Sequence, residues 1–351
     1  MRKRVWRVVA IVGWMALAFS AGRAWAQGAP PPAPPQDVAA TLRQITQGQR
    51  SADFDIEAAA RSVEVALWYF KLSDVADVDE IRITSTKPIR MSNATGQGAG
   101  NPLIIYAHTF TPKKLAASQK APLMVFIHGG VHSHFDINYA HIIRELVGQG
   151  YVVVAPDYRG STGYGAEYYN QIDYGGAEVD DGHAVRDWAV ANLPRVDPKR
   201  VGIMGWSHGG YLTLLNIFRW PQDYVGAYAG CPVSDLVMRM GYKGQGYRDT
   251  FAGFIGKQAA DDPMEYRRRS PVFHAAELKI PLLIHTNTND EDVNVMEVQH
   301  LMDAFKAAGK TFESKIYESA PGGHTFNRID TALARESRQE IYAFLAKYVK
   351  P

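Results

Sequence analysis

Gly205-Trp206-Ser207-His208-Gly209-Gly210-Tyr211 is the stretch that decides the fold of this chain. The apolar run Arg200-Val-Gly-Ile-Met204 precedes it, and Leu212-Thr-Leu-Leu-Asn-Ile-Phe218 follows. The first run reads as a buried strand and the second as a helix start, which puts Ser207 on the sharp turn between them. A G-x-S-x-G turn in that position is a nucleophile elbow. Glycines at 205 and 209 permit a strained backbone and close strand–helix contact, so the serine hydroxyl is pushed into a cleft. Gly-rich turns also occur without any chemistry, so the partners of a nucleophile must be sought elsewhere in the chain.

Outward from the elbow, strand-like and helix-like runs alternate. Before it come strands at Pro122-Leu-Met-Val-Phe-Ile127 and Tyr151-Val-Val-Val-Ala155, with helices over Ile137 to Val147 and Glu178 to Asn192. After it come strands over Tyr224 to Cys231, Pro281 to His285 and Thr311 to Tyr317, with helices over Val295 to Ala308 and Ile329 to Val349. This spacing predicts an α/β fold with a doubly wound, mostly parallel sheet and helices on both faces. Further back, Val38 to Phe70 is mostly helical in pattern. Ile81-Arg-Ile-Thr-Ser-Thr86 and Leu103 to Phe110 read as two strands around a Gly/Asn-rich loop from Met91 to Asn101. Val237 to Phe273 breaks the alternation and reads as an insertion over the strand ends, where sheets of this kind bind ligands.

A serine hydroxyl needs a general base and an orienting acid to act as a nucleophile at neutral pH. Both are available at strand ends. Asp290 lies in Asn287-Thr-Asn-Asp-Glu-Asp-Val293, just past the strand ending at His285, with Asp292 as the alternative acid. His324 lies in Ala320-Pro-Gly-Gly-His-Thr-Phe326, past the strand ending at Tyr317. Donors for a developing oxyanion are expected from the backbone N–H of His208 and from Gly130 in Ile127-His-Gly-Gly-Val131. Arg159, Tyr164 and Trp206 are candidate substrate contacts. His132-Ser-His134-Phe-Asp136 is the one compact histidine cluster, and H-x-H alone is weak evidence for metal. Neither a metal nor a cofactor is implied.

The first 26 of the 351 residues read as a secretory leader. Met1 to Arg7 is basic, Val8 to Phe19 is apolar, and Ala24-Trp25-Ala26 is a small-x-small cleavage signal. An uncleaved anchor is the alternative, although the apolar part is short for a membrane span. Residues 27–36, with Pro30-Pro-Pro-Ala-Pro-Pro35, form an extended linker. Residues 37–351 are then one domain, with 37–100 as an N-terminal helix and hairpin extension. Cleavage would remove five of the 38 basic residues and none of the 36 acidic ones, turning a net charge of +2 into −3. That balance offers no case for nucleic-acid binding. Cys231 is the only cysteine, so an exported form would have no internal disulfide. A periplasmic or secreted protein is expected, without stable membrane insertion after cleavage, and an oligomer is compatible with the sequence.

Together these pieces resemble the prolyl oligopeptidase family of serine hydrolases, closest to its acylaminoacyl-peptidase-like branch. The resemblance rests on His128-Gly-Gly-Val-His-Ser133, Asp157-Tyr-Arg-Gly-Ser-Thr-Gly-Tyr-Gly165, the elbow, Arg269-Ser-Pro271, Asp290-Glu-Asp-Val293 and Gly323-His324. It covers roughly residues 120 to 349. It implies an α/β-hydrolase fold in which Ser207 is the nucleophile, Asp290 the orienting acid and His324 the general base. Val131 stands where the family usually has proline, Thr286 where it usually has glycine, and one extra residue precedes Asp290. Family peptidases typically carry a β-propeller, which residues 36–100 cannot supply at about 40 residues per blade and at least four blades. The expected substrates are short peptides or acylated amino acids. Carboxylic esters are the alternative, and a catalytically silent binding protein on this fold is the remote one.

Overall fold

A computed structural model describes residues 38–116 and 118–351 of the chain. The expected leader and Pro-rich linker lie outside the described residues. By packing, the chain divides after Arg50. Of the first unit only the opening turns of a long helix, α1 (Val38–Leu72), are described; everything discussed below belongs to Ser51–Pro351.

That unit is built on eight strands: β1 (Ala76–Thr84), β2 (Ile104–Pro112), β3 (Ala121–Ile127), β4 (Val152–Asp157), β5 (Val196–Trp206), β6 (Gly226–Gly230), β7 (Leu282–Asn287) and β8 (Glu313–Tyr317). Their order in the sheet is β1-β2-β4-β3-β5-β6-β7-β8. β1 and β2 pair antiparallel, as do β2 and β4, and every other neighbouring pair is parallel. The main helices are α2 (Ala140–Gln149), α3 (Ala166–Tyr169), α4 (Ala177–Asn192), α5 (His208–Arg219), α6 (Leu236–Tyr242), α7 (Gln245–Ile255), α8 (Pro263–Arg268), α9 (Val295–Ala307) and α10 (Ala332–Val349).

The apolar runs read as central strands are buried at every position of β3, β4, β6 and β7, as strands covered on both faces must be. Side chains alternate between two cores. Leu123, Val125 and Ile127 of β3 join Val179 of α4 and Leu212 of α5, while Met124 and Phe126 join Trp68 of α1, Ile142 of α2 and Phe344 of α10. β1 begins five residues earlier than the sequence pattern suggests. Its acidic residues Asp77, Asp79 and Glu80 obscure the strand, yet they pair in register with Thr111, Thr109 and His108 of β2. α10 begins at Ala332 rather than Ile329, where Thr331 caps it by accepting the Ala334 N–H. The insertion folds as the three short helices α6, α7 and α8.

Register places the chemistry on one edge. Ile127 pairs with Gly205, Trp206 with Gly230, Gly230 with His285, and Asn287 with Tyr317. Ser207, Cys231, the loop holding Asp290 and the loop holding His324 therefore all leave the carboxyl ends of adjacent strands.

Candidate active site

Ser207 sits between β5 and α5 at φ 58° and ψ −122°, a conformation L-residues rarely adopt. Such strain persists only where the surroundings enforce it. Here the enforcement comes from close backbone contact. A Cβ on Gly205 would lie 2.4 Å from the backbone of Gly209, and one on Gly209 would lie 2.1 Å from the carbonyl oxygen of Ile127. Only glycine permits that crossing. The Ser207 N–H donates to Gly230 O at 2.8 Å, which fastens the elbow to the end of β6.

Asp290 and His324 meet squarely. His324 Nδ1 lies 2.9 Å from Oδ1 and 2.8 Å from Oδ2 of Asp290. Oδ1 also accepts the N–H groups of Asp292 at 2.9 Å and Val293 at 2.8 Å. Burial opposes ionisation of Asp290, but the hydrogen bonds from His324 and these amides outweigh it and hold the pKa below the ordinary carboxylate value. Asp292, the alternative acid, is turned elsewhere: its Oδ1 takes Lys243 Nζ at 2.8 Å and Arg239 Nη2 at 3.1 Å. Its Oδ2 is 3.9 Å from His324 Nε2, on the far side of the ring from Asp290. Among the described residues no hydrogen bond joins Ser207 Oγ to His324, a contact that commonly tightens only around a substrate.

The acid loop also grips the histidine loop. Asn287 Nδ2 donates to Gly323 O at 3.0 Å, Asn289 Nδ2 to Ala320 O at 3.0 Å, and Glu291 Oε2 accepts the His324 N–H at 3.0 Å. Ser319 N–H donates to Thr288 Oγ1 at 2.9 Å, and Arg328 Nη2 donates to His324 O at 2.7 Å. The sequence carries no signal for the pairs between the two loops, because each joins residues 31 to 36 positions apart.

Of the expected oxyanion donors, His208 follows the serine directly and Gly130 belongs to a loop that meets the elbow through Gly129. His208 N–H opens α5, where first-turn amides have no intrahelical acceptor. Gly130 has φ +72°, and the Cβ that Gly129 lacks would touch Ser207 Cβ at 3.4 Å, so the His-Gly-Gly loop lies against the elbow. Tyr158 OH donates to Gly130 O and stacks on the buried His128 ring at 4.2 Å, a clamp that sequence reasoning missed. The ring of His208 is buried, and burial, with Arg239 nearby, lowers its pKa to about 3, so it is neutral. Beneath it, burial raises Glu178 to about 8, with Oε1 accepting the Gly175 N–H at 2.6 Å and lying 3.5 Å from His208 Nε2.

Two candidate substrate contacts are interior residues. Arg159 is fully buried: Nε and Nη2 donate to Asp181 at 2.8 Å, Nη2 also reaches Thr86 Oγ1 at 2.7 Å, and Nη1 reaches Lys87 O at 3.1 Å. A substrate carboxylate has no access to it. Trp206 packs on Phe126 and Tyr228, with Nε1 donating to Asn327 Oδ1 at 2.9 Å. Tyr164 donates its hydroxyl to Asp157 and stacks on Tyr106 at 4.1 Å, on the wall of a cavity of about 640 Å³ shared with Arg90 and Glu167. The His132/His134/Asp136 group does not converge: His132 Nδ1 donates to Gly160 O, His134 pairs with Glu64, and Asp136 caps the turn at Asn138. The insertion does reach the site. Tyr247 stacks on Phe251, Phe251 packs at a tilt on Tyr174 and Tyr174 on His208, and Arg239 Nε donates to Tyr247 OH at 2.7 Å, so a wall runs from Asp292 round to the elbow.

An eight-stranded sheet with this order, a serine on the β5–α5 elbow and acid and histidine loops after β7 and β8 defines an α/β-hydrolase fold. Within that class the chain belongs to the prolyl oligopeptidase family, whose sequence model matches residues 137–351. It is 30% identical over 247 residues to the uncharacterized peptidase YuxL of Bacillus subtilis, covering 70% of this chain and 36% of that protein. It is 28% identical over 270 residues to the acylamino-acid-releasing enzyme of Arabidopsis thaliana, covering 74% of this chain and 34% of that protein. The chain thus spans about a third of the length of these curated relatives. Among solved structures, Pyrococcus horikoshii acylaminoacyl peptidase superposes with a TM-score of 0.66 at 20% identity, over 80% of this chain and 43% of that one. Porphyromonas gingivalis dipeptidyl peptidase 4 gives 0.62 at 23% identity, over 78% and 36%. At those identities the superpositions establish the fold.

Proposed function

We propose that this protein is a serine peptidase that works through an acyl-enzyme, with short peptides or acylated amino acids as substrates. The observation that carries the reading is the Asp290–His324 contact at the same sheet edge as a serine held in a strained elbow. In this reading Asp290 keeps the proton of His324 on Nδ1, leaving Nε2 free to take the proton of Ser207 as its oxygen attacks the substrate carbonyl. The tetrahedral oxyanion is met by the N–H groups of His208 and Gly130. His324 then protonates the departing amine, and water, activated by the same nitrogen, releases the acyl group.

Family membership and the named relatives, a peptidase and an acylamino-acid-releasing enzyme, support an amide rather than an ester substrate. The test compares aminoacyl and acylaminoacyl anilides with short-chain acyl esters on the protein lacking its leader. Turnover of esters alone would overturn the peptidase assignment. The reading extends to export: residues 1–26 are the leader, and amino-terminal sequencing of protein recovered outside the cytoplasm should begin at Gln27.

A further inference from the structure

Cys231 is absent from the mechanism above, yet it stands directly under it. It is the first residue after β6, fully buried, and held at φ +40° with its N–H donating to His285 O at 2.7 Å. A non-glycine residue in that region is costly and clusters at functional sites. The turn aims its side chain at the acid loop: one ligand atom each from Cys231, Asp290 and His324 lies within 4.8 Å of the others. Asn287 Nδ2, at 3.8 Å, is a side-chain donor that approaches the sulfur.

The geometry points to an inhibitory binding site for a thiophilic divalent cation, zinc or cadmium, formed by Cys231 Sγ, Asp290 and His324 Nδ1. A thiolate, an imidazole and a carboxylate with a fourth position open is a donor set that such ions accept in tetrahedral geometry. The sulfur must draw in, while Nδ1 and the carboxylate oxygen, now 2.8 Å apart, part to the roughly 3.3 Å that two ligands of a tetrahedral ion keep. Solvent touches the group at the imidazole, whose side chain is 13% exposed, so the ion enters from that side. Binding displaces the thiol proton to solvent and takes the lone pair of Nδ1. The single remaining imidazole proton must then sit on Nε2. That nitrogen can no longer accept from Ser207, and Asp290 is occupied by the metal, so the loss of activity rests on the triad reading given above.

The test is a cadmium titration of the whole protein, read by the ultraviolet charge-transfer band of a cadmium–thiolate bond. Because Cys231 is the sole cysteine, the band has one possible source. It should saturate at one equivalent and be absent from Cys231→Ser and Cys231→Ala. In parallel, zinc at about ten times its Kd should slow the wild-type protein about tenfold, while each variant keeps the rate it has without metal. A missing band in the folded wild type, or equal inhibition of the cysteine variants, would overturn the site. A band without inhibition would overturn its link to catalysis. The band is read whether or not the protein turns over a peptide, so a failed peptidase assignment and a failed metal site give different results.

Discussion

Replacing Asp290 by asparagine separates orientation from mere proximity. The amide oxygen of Asn would stay where Oδ1 is, because the N–H groups of Asp292 and Val293 donate there at 2.9 and 2.8 Å. Its NH2 would then occupy the Oδ2 position, 2.8 Å from His324 Nδ1. A donor facing Nδ1 opposes a proton there, and the retained oxygen, 2.9 Å from the same nitrogen, is already shared by two amides, so the ring proton shifts to Nε2, the wrong tautomer for a base. The same change in a Ser-His-Asp enzyme costs about 10⁴ in kcat, or about 5 kcal/mol of transition-state stabilisation. We expect a fall of that order for Asp290→Asn in kcat on a peptide anilide, with KM little changed and the thermal midpoint close to wild type. Asp292→Asn, which leaves both Nδ1 contacts intact, should lose far less. Should Asp292→Asn be crippled while Asp290→Asn keeps more than about a tenth of its activity, the role of orienting the base would belong to Asp292 instead.

Three further outcomes follow from burial and close contact. Gly209→Ala places a methyl 2.1 Å from Ile127 O and 2.7 Å from His128 O, both backbone atoms, so it should cost about 3 kcal/mol or more in urea unfolding and displace the Gly130 loop. An unaffected, active variant would contradict the elbow geometry. Arg159→Met strands the buried Asp181 carboxylate and should destabilise by about 3–5 kcal/mol, with KM of the folded fraction unchanged. A raised KM at full stability would instead return Arg159 to the substrate. Burial holds His285 near pKa about 4, below its ordinary 6.5, so the unfolded chain binds the extra proton between those values and stability falls as pH drops through them. His285→Asn should flatten the acid limb of the urea midpoint between pH 7 and pH 4 (about 3 kcal/mol at most), and an unchanged slope would mean that His285 is not held neutral.

The parts of this site that were readable in the sequence are those encoded by backbone need. Gly205 and Gly209 announce the elbow because no other residue survives a Cβ contact of 2.1–2.4 Å. Gly322 and Gly323 mark the histidine loop in the same way, each at positive φ. The strands were legible because β3, β4 and β7 are buried on both faces and therefore continuously apolar. What the sequence concealed is pairing at a distance. Arg159 and Trp206 look like ligand contacts by residue type, but Asp181 and Asn327 claim their polar atoms from 22 and 121 residues away. Asp290 and Asp292 are equivalent as letters. They part only through Arg239 and Lys243 of the insertion, which take Asp292, and through the amides that aim Asp290 at His324. Tyr158 stands within the Asp157 to Gly165 motif, but nothing local shows that its hydroxyl reaches back 28 residues to Gly130.

The most direct test of the central claim is covalent capture of the nucleophile. The protein lacking residues 1–26, incubated with a fluorophosphonate and digested, should carry the adduct on the peptide containing Ser207, at one equivalent, and Ser207→Ala should carry none. Prior denaturation should abolish labelling if, as proposed, the folded arrangement of elbow, base and acid activates the serine. A folded wild-type protein that takes no label, or one labelled equally well after Ser207→Ala, would contradict the account.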